Sequence, residues 1–143
     1  MKTNIEPLEK VIETASQIMA EMEERAFEDE RFSELSLRQM LYLNTIIRMG
    51  HPTFSDLARE LKVSKPSVTA NVGSLIKKGY VAKVQDNEDL RSFHIITTQK
   101  ALDFDELHQN VHKNLANHLA AQLNTEEIKH LGELLTKAFN GLK

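Results

Sequence analysis

Apolar residues recur at spacings of three and four over most of the chain, the pattern of amphipathic helices. This period predicts one helix over about residues 6–27 and a second over about residues 36–49. Ser36 and Gln39 have the spacing of a capping box at the start of the second helix. The acidic stretch EDERFSE, residues 28–34, is expected to connect the two helices.

Two closely spaced helices are predicted next. Thr53 and Asp56 form another capping-box pattern, which opens a short helix to about Leu61. Ser64 is placed to cap the following helix, which Gly79 ends. Because a turn of about three residues separates them, the pair has the form of a helix-turn-helix.

Alternation of apolar and polar residues then replaces the helical period in one hairpin. YVAKVQ and SFHIIT, residues 80–85 and 92–97, are predicted strands joined by polar DNEDLR. A long helix follows from about Gln99 to Gln122, and Asn124 caps a last one. The predicted fold is mainly α with a small β-wing, in the order α-α-α-α-β-β-α-α: a winged helix-turn-helix flanked by terminal helices.

Length and patterning suggest one domain, residues 1–143, with a winged helix-turn-helix core over residues 36–100. The flanking segments 5–27 and 99–143 carry long apolar stripes. Two chains bury such stripes better than one, so these segments are expected to be dimerisation helices of a homodimer. The chain shows no signal-peptide pattern and no apolar run of membrane-spanning length, so we expect a cytoplasmic protein without a membrane partner.

Charge and composition restrict the function further. The formal net charge is −3, but residues 48–100 hold nine Lys or Arg and five Asp or Glu. A locally basic module within an acidic chain is compatible with phosphate binding. The absence of cysteine excludes disulfides and thiolate metal sites. Without a Gly-rich phosphate loop or a G-x-S-x-G sequence, an enzyme is not expected.

The second helix of the helix-turn-helix has one side of unusually small residues. At about 100° per residue, the side opposite its apolar positions carries Pro66, Ser67, Ala70, Gly73, Ser74 and Lys77. Short side chains let a helix lie deep in the DNA major groove, which is about 12 Å wide. We therefore expect double-stranded DNA as the partner, with contacts from Ser64, Lys65, Ser67, Thr69, Ala70, Asn71, Ser74, Lys77 and Arg91.

Arg91 is the basic residue of the predicted wing tip, DNEDLRS. An Arg on a wing can enter the adjacent minor groove, where the negative potential is focused. Asp86 and Asp89 are expected to hold Arg91 and to shape the turn rather than to contact DNA.

Two stretches resemble the MarR family of bacterial and archaeal transcription regulators: LARELKVSKPSVTANVGSLIKKGYV matches its helix-turn-helix and DNEDLRS its wing signature. The terminal helices are similar to its dimerisation helices in place and length, so the resemblance covers nearly the whole chain. Lys62 and Ala101 stand where the family commonly has Gly, and Asn71 where it often has an aliphatic residue. The resemblance implies a homodimeric repressor that binds a pseudo-palindromic operator and responds to a small effector.

The sequence leaves several hypotheses for the effector. His108 and His112 lie four residues apart on one helix, as a metal site needs, and the family's zinc-dependent repressors imply Glu24 as a further ligand. FSELSLRQM and LHQNVHK also resemble the family's fatty-acid-synthesis repressors, which respond to acylated carrier protein. Both histidines can equally be polar residues on a helix flank. We expect no required cofactor, and zinc and an acyl group are the effectors considered.

A second function class is a winged helix that binds protein instead of DNA. The acidic ends of the chain would suit such an interaction module. The two classes differ in salt dependence, because affinity for a duplex falls steeply as salt rises.

Overall fold

The computed structural model describes residues 3–28 and 31–142, apart from the side chain of Phe27. Residues 29 and 30 of the predicted acidic connection, and residues 1, 2 and 143 of the predicted domain, lie outside this range. The predicted order of elements is confirmed over the described residues. The elements are α1 (Glu6–Phe27), α2 (Leu37–Met49), α3 (Phe54–Leu61), α4 (Lys65–Lys77), β1 (Val81–Gln85), β2 (Phe93–Thr97), α5 (Gln99–Ala120) and α6 (Thr125–Asn140).

Three helices begin at the capping boxes that the sequence indicates. Thr53 illustrates the arrangement, because its hydroxyl accepts the Asp56 amide while the Asp56 carboxylate accepts the Thr53 amide, at 3.1 and 3.2 Å. Reciprocal caps of this kind satisfy amides that lack an intrahelical partner. The same arrangement opens α2 at Ser36 and α6 at Asn124.

The turn between α3 and α4 takes a left-handed conformation at a residue that is not glycine. Lys62 has φ 53° and ψ 46°, and its amide donates to carbonyls of the last turn of α3. A side chain in this conformation costs roughly 1–2 kcal/mol. Lys62, which stands where the resemblance would place glycine, therefore stores backbone strain in this turn.

The described residues divide into two compact units. The winged unit lies within residues 23–108, and the helical unit lies within residues 1–22 and 109–143. In the described ranges, every helix falls short of the length and apolarity that a membrane span needs.

The winged unit has one continuous hydrophobic core. Helix α4 packs on α2, α3 and β1, and β2 packs on α2 and α3. The start of α5 contributes Ala101 and Phe104, and the Phe104 ring meets Phe32 edge to face at 5.7 Å. Ala101 is completely buried, so the position that often holds glycine has room for one methyl group here. The fully buried side chains are Leu43, Ile46, Leu57, Val68, Val72, Leu75, Tyr80, Ile95, Ala101 and Phe104.

The hairpin of the wing is antiparallel and in the register Val81↔Thr97 to Gln85↔Phe93. Its base is buried at Val81 and Ile95, whereas the far end of β1 is exposed. The hairpin is therefore anchored in the core at one end, and its tip is free to reach a ligand.

The helical unit leaves many large apolar side chains exposed. On α1 these are Leu8, Val11 and Ile12, each more than half exposed. Every residue of α6 is exposed. Its apolar stripe, which the exposed Leu142 continues beyond the helix end, consists of Ile128, Leu131, Leu135 and Phe139. Exposed apolar surface of this extent usually marks an interaction site.

Candidate nucleic-acid interface

Helix α4 is fixed at both ends by local hydrogen bonds. Ser64 caps its start by accepting the Ser67 amide at 3.3 Å, and Pro66 occupies the first turn, where no amide donor is needed. Gly79, with φ 84°, ends it: its amide reaches the Ile76 carbonyl and the next amide reaches Leu75, both at 3.0 Å. These two bonds form a Schellman motif, so the limits of α4 are set by its own sequence.

One side of α4 is buried and the other is short and exposed. Val68, Val72 and Leu75 are completely buried in the core. The exposed side, hereafter the small face, consists of Lys65, Pro66, Thr69, Ala70, Gly73 and Lys77. Its side chains are short except for one lysine near each end, so the helix backbone can approach a ligand closely between two positive charges.

Ser67 and Ser74 do not belong to the small face, which differs from the helical-wheel prediction. The Ser67 hydroxyl lies 3.1 Å from the Tyr42 hydroxyl. The Ser74 hydroxyl accepts a hydrogen bond of 2.8 Å from the side-chain nitrogen Nε2 of Gln39. Both serines are half-buried against α2. They anchor α4 to α2, because polar groups pressed against a neighbouring helix are stabilised by bonding to it.

Thr69 and Asn71 both bond back to their own helix. The Thr69 hydroxyl donates to the Lys65 carbonyl at 3.1 Å, and the side-chain amide of Asn71 donates to the Ser67 carbonyl at 2.9 Å. Thr69 is exposed, while Asn71 is half-buried at the flank. To reach a base edge, the Asn71 amide has to exchange this internal bond for one to the base.

Gln39 of α2 anchors α4 through bonds to residues that are distant in the sequence. Its side chain closes the capping box of α2, donates to Ser74 and accepts a bond of 2.9 Å from the Lys78 ammonium. Lys78 also donates to the Glu34 carbonyl. The capping box was visible in the sequence, but the second role of Gln39 depends on residues 35 and 39 positions away.

The turn of the wing is organised by two carboxylates. The Asp86 carboxylate accepts the amides of Glu88 and Asp89 at 2.7 and 3.0 Å, and the Asp89 carboxylate accepts the Arg91 amide at 3.0 Å. Among the residues that the structure describes, the Arg91 guanidinium forms no ion pair with either carboxylate. Asp89 thus contacts Arg91 through the backbone and not, as predicted, by holding its side chain, which is exposed.

His94 is a second residue whose role the sequence did not reveal. Its ring nitrogens lie 2.8 Å from the His51 carbonyl and 2.6 Å from the Asp86 carboxylate. A histidine in a short strand gives no signal in the sequence that would identify partners on two separate loops.

The predicted effector residues fall on different parts of the chain. Glu24 is exposed, whereas Glu23 and His108 are half-buried in the winged unit. A carboxylate oxygen of Glu23 and a ring nitrogen of His108 lie within 4.8 Å of each other. Glu23, and not the predicted Glu24, is thus the acidic residue near His108, and a metal ligand in this part of the chain stays a prediction. His112 is exposed and follows His108 by one turn of α5.

A groove of about 300 Å³ lies within the helical unit, between α1 and α5. Its walls are mostly apolar, and Lys10 is the charged residue among those that line it. The remaining lining residues are Val11, Thr14, Ala15, Ile18, Leu115 and Leu119.

Comparison with known proteins supports this geometry. The sequence profile of the MarR family matches residues 33–92, which hold α2, α3, α4, β1 and the turn of the wing. The HTH-type transcriptional regulator BilQ of Clostridioides difficile (strain CD3) is 27% identical over 90 residues. That alignment covers 63% of this chain, and the chain spans only 61% of the length of BilQ.

Two solved structures share the fold over almost the whole chain. FabT of Streptococcus pneumoniae, solved in complex with DNA, is 25% identical with a TM-score of 0.80 and a coverage of 97% of each chain. RV1404 from Mycobacterium tuberculosis is 14% identical with a TM-score of 0.82, covering 98% of this chain and 95% of its own. The profile match and the alignment with BilQ show that the winged helix-turn-helix of this chain is similar to that of the MarR family, and the two structures show that the chain shares their fold.

Proposed function

We propose that this chain is a homodimeric transcription regulator that represses by binding a pseudo-palindromic operator. Helix α4 enters the major groove and Arg91 reaches the adjacent minor groove. The observation that carries this proposal is the small face of α4, which offers short side chains and two lysines on a helix that is buried on its other side. A helix with no long side chain in its middle suits close contact with a groove better than contact with water.

The anchoring of α4 supports the same conclusion. Ser67 and Ser74 bond to α2, so α4 is held at a fixed angle before any ligand arrives. A rigid reading element loses less conformational freedom on binding. Because the two serines are engaged internally, direct base reading is limited to the flanks of the small face, and phosphate contacts from Lys65 and Lys77 position the helix.

The relatives support DNA as the ligand and regulation as the role. FabT, which shares the fold over 97% of this chain, was solved bound to DNA, and BilQ is named a transcriptional regulator. A regulator, rather than an enzyme, is also what the absence of nucleophile and phosphate-loop motifs in the sequence suggests. The proposed site of action is the cytoplasm.

The exposed stripe of α6 supports a second copy of this chain as partner. Leu131 is 38% exposed and Phe139 is 57% exposed in the single chain, with no polar side chain between them on the stripe. A symmetric dimer that buries the stripes of both chains removes this surface from water. Two chains also present two copies of α4, which a pseudo-palindromic operator requires.

The groove between α1 and α5 supports an apolar effector, for instance an acyl group. Its volume and apolar lining suit an alkyl chain, and Lys10 offers a positive charge to a carboxylate or phosphate head. Zinc is the other candidate effector, and Glu23 and His108 of the winged unit would offer it one carboxylate and one imidazole. Native mass spectrometry of the purified protein separates the two, since bound zinc and bound lipid differ in mass.

Salt dependence of DNA affinity tests the proposed function. A duplex selected from a random pool by the protein itself is labelled, and its affinity is measured by fluorescence anisotropy at several salt concentrations. The logarithm of the affinity should fall linearly with the logarithm of the salt concentration, because phosphate contacts release counterions. If no duplex is selected, or if the affinity does not change with salt, the protein is a winged-helix interaction module instead.

A further inference from the structure

We propose that His94 is a positioning residue for the wing, which it fastens to the loop between α2 and α3 as a doubly hydrogen-bonded imidazolium. The set of three groups, the His94 ring, the Asp86 carboxylate and the His51 carbonyl, is called the histidine clasp. Its effect on DNA affinity rests on the proposed function, but its existence in the free protein does not.

The clasp joins two segments that are far apart in sequence. His94 Nδ1 lies 2.8 Å from the carbonyl oxygen of His51, and Nε2 lies 2.6 Å from Oδ2 of Asp86. The backbone supports this arrangement, because His94 also forms an isolated β-bridge with Thr53, and the Ile95 amide donates to the Pro52 carbonyl at 2.8 Å. The base of β2 is thus joined to the loop by its backbone, and the clasp extends the connection to the turn of the wing.

The loop that supplies the carbonyl has an unusual backbone. Gly50 has φ 64° and His51 has φ 26°, which is rare for a residue with a side chain. Such conformations persist where the surrounding structure determines them. Here the conformation presents the His51 carbonyl to the His94 ring.

The clasp requires a protonated imidazole. A carbonyl and an ionised carboxylate are acceptors only, and a neutral imidazole carries one N–H donor, so it can serve one of the two partners. The imidazolium carries two N–H donors and serves both. Bonds to the His51 carbonyl and then to Asp86 accordingly raise the pKa of His94 above its ordinary 6.5.

Asp86 connects the clasp to the residue that is expected to enter the minor groove. One of its carboxylate oxygens accepts from His94, while the other accepts the amides of Glu88 and Asp89. Asp89 in turn accepts the Arg91 amide. Four residues therefore form a continuous chain of hydrogen bonds from the His94 ring to the backbone of Arg91.

The charged surroundings of His94 favour the same protonation state. Asp86 faces it from the wing and Asp56 from α3, and both raise the pKa of His94 through their negative charge. The neighbouring cleft of about 510 Å³ is also lined by the Glu88 carboxylate and the His51 imidazole, which are two further titratable groups. The His94 side chain is 36% exposed, so it exchanges protons freely with solvent.

The pH range of the clasp follows from the two shifts. Since the pKa of His94 is raised, its contribution is complete below pH 6.5 and is lost as the pH rises through the folded-state pKa. The pKa of Asp86 is lowered to about 2 by the Asp89 amide, His94 and the Glu88 amide, so its contribution is lost only in strong acid. Between pH 3.8 and 6.5 both contributions are present.

The first experiment follows the His94 ring nitrogens of the free protein by nitrogen-15 NMR through a pH titration. The expected result is a pKa above 6.5, with both nitrogens protonated below it. Asp86→Asn should move this pKa down, because the amide cannot stabilise the imidazolium as a carboxylate does. A His94 pKa at or below its ordinary value, or one that Asp86→Asn leaves unchanged, would overturn the clasp.

The second experiment measures the affinity for the selected duplex at about pH 6 and about pH 8, on either side of the titration. Wild-type affinity should be about fivefold higher at the lower pH, a typical coupling between sites. His94→Gln should abolish the difference, because a carboxamide does not change its protonation between these two pH values. Asp86→Asn should reduce it.

Two control variants separate His94 from the other histidines. His51→Asn keeps the backbone carbonyl and tolerates the positive φ, so the pH dependence should remain although a neighbouring imidazole is gone. His130→Gln alters an exposed histidine of α6 and should behave as the wild type. If the pH dependence survives in His94→Gln or disappears in either control, the clasp does not set the wing. If the wild type binds no duplex at either pH, the proposed function fails, and the NMR titration alone decides on the clasp.

Discussion

Helices α4 and α6 are both amphipathic, but only α4 buries its apolar side, whereas α6 leaves its apolar side exposed. In α4 the apolar residues Val68, Val72 and Leu75 are completely buried within the winged unit, and the exposed side is short and polar. In α6 every residue is exposed, and the apolar stripe has no covering surface among the described residues of its own unit.

The difference teaches what each helix lacks. Helix α4 has its apolar partners within the chain, so its outer side is available for a polar ligand, and its small residues specify one that approaches closely. Among the described residues of its unit, helix α6 has no apolar partner, and the proposed second copy of the chain would supply one. The two helices thus correspond to the two parts of the proposed function, DNA contact and assembly, and each part can be tested separately.

The largest effect is expected from charges placed on the apolar stripe of α6. The double substitution Leu131→Asp and Leu135→Asp should destabilise the dimer by about 3 kcal/mol or more per chain, because an unpaired charge becomes buried. Sedimentation velocity should show monomers, and DNA affinity should fall with the loss of the second α4.

Thr136→Asp is the matched control, because Thr136 lies on the polar side of α6 beside Gly132 and Lys137. This variant should remain dimeric. A double variant that stays dimeric would show that the stripe is not the interface.

A smaller effect is expected at the wing. Arg91→Ala should weaken binding to the selected duplex by about 1–3 kcal/mol if the guanidinium enters the minor groove. Lys129→Ala removes a comparable positive charge from α6 and should change affinity little. Equal losses in the two variants would mean that Arg91 acts only through general attraction to DNA.

The smallest effect concerns the turn before α4. Lys62→Gly removes the side chain from a residue with a left-handed backbone, so the free energy of unfolding should rise. The rise should be at most about 1 kcal/mol, because glycine is also more flexible in the unfolded chain. Lys77→Gly places glycine in right-handed helix and should lower it by about 1 kcal/mol. Urea unfolding of both variants gives the two signs, and a loss of stability in Lys62→Gly would contradict the strain.

The sequence predicted the elements well because their limits are local. Capping boxes at Ser36, Thr53 and Asn124 and the ending of α4 at Gly79 depend on residues within a few positions. The resemblance to the MarR family, carried by the helix-turn-helix and the wing, was also confirmed.

Side-chain partners could not be predicted in the same way, because they come from distant parts of the chain. A helical wheel placed Ser67 and Ser74 outward, since it contains no information on Tyr42 and Gln39 of α2. Likewise, His94 had no visible partner because the His51 carbonyl is 43 residues away. Packing alone also decides which of two adjacent residues of α1 faces the winged unit's interior, so the sequence could not show that Glu23 is half-buried and Glu24 exposed.

A pair of glycine substitutions tests the central claim, that the small face of α4 lies against DNA, most directly. A methyl group added at Gly73 or at Gly132 meets nothing within 4 Å in the free protein. Both Gly73→Ala and Gly132→Ala should therefore raise the free energy of unfolding by about 0.5–1 kcal/mol. Affinity for the selected duplex should fall by about 1–3 kcal/mol in Gly73→Ala, as overpacking of a close contact does, and stay at the wild-type value in Gly132→Ala. Wild-type affinity in a stabilised Gly73→Ala protein would contradict the account.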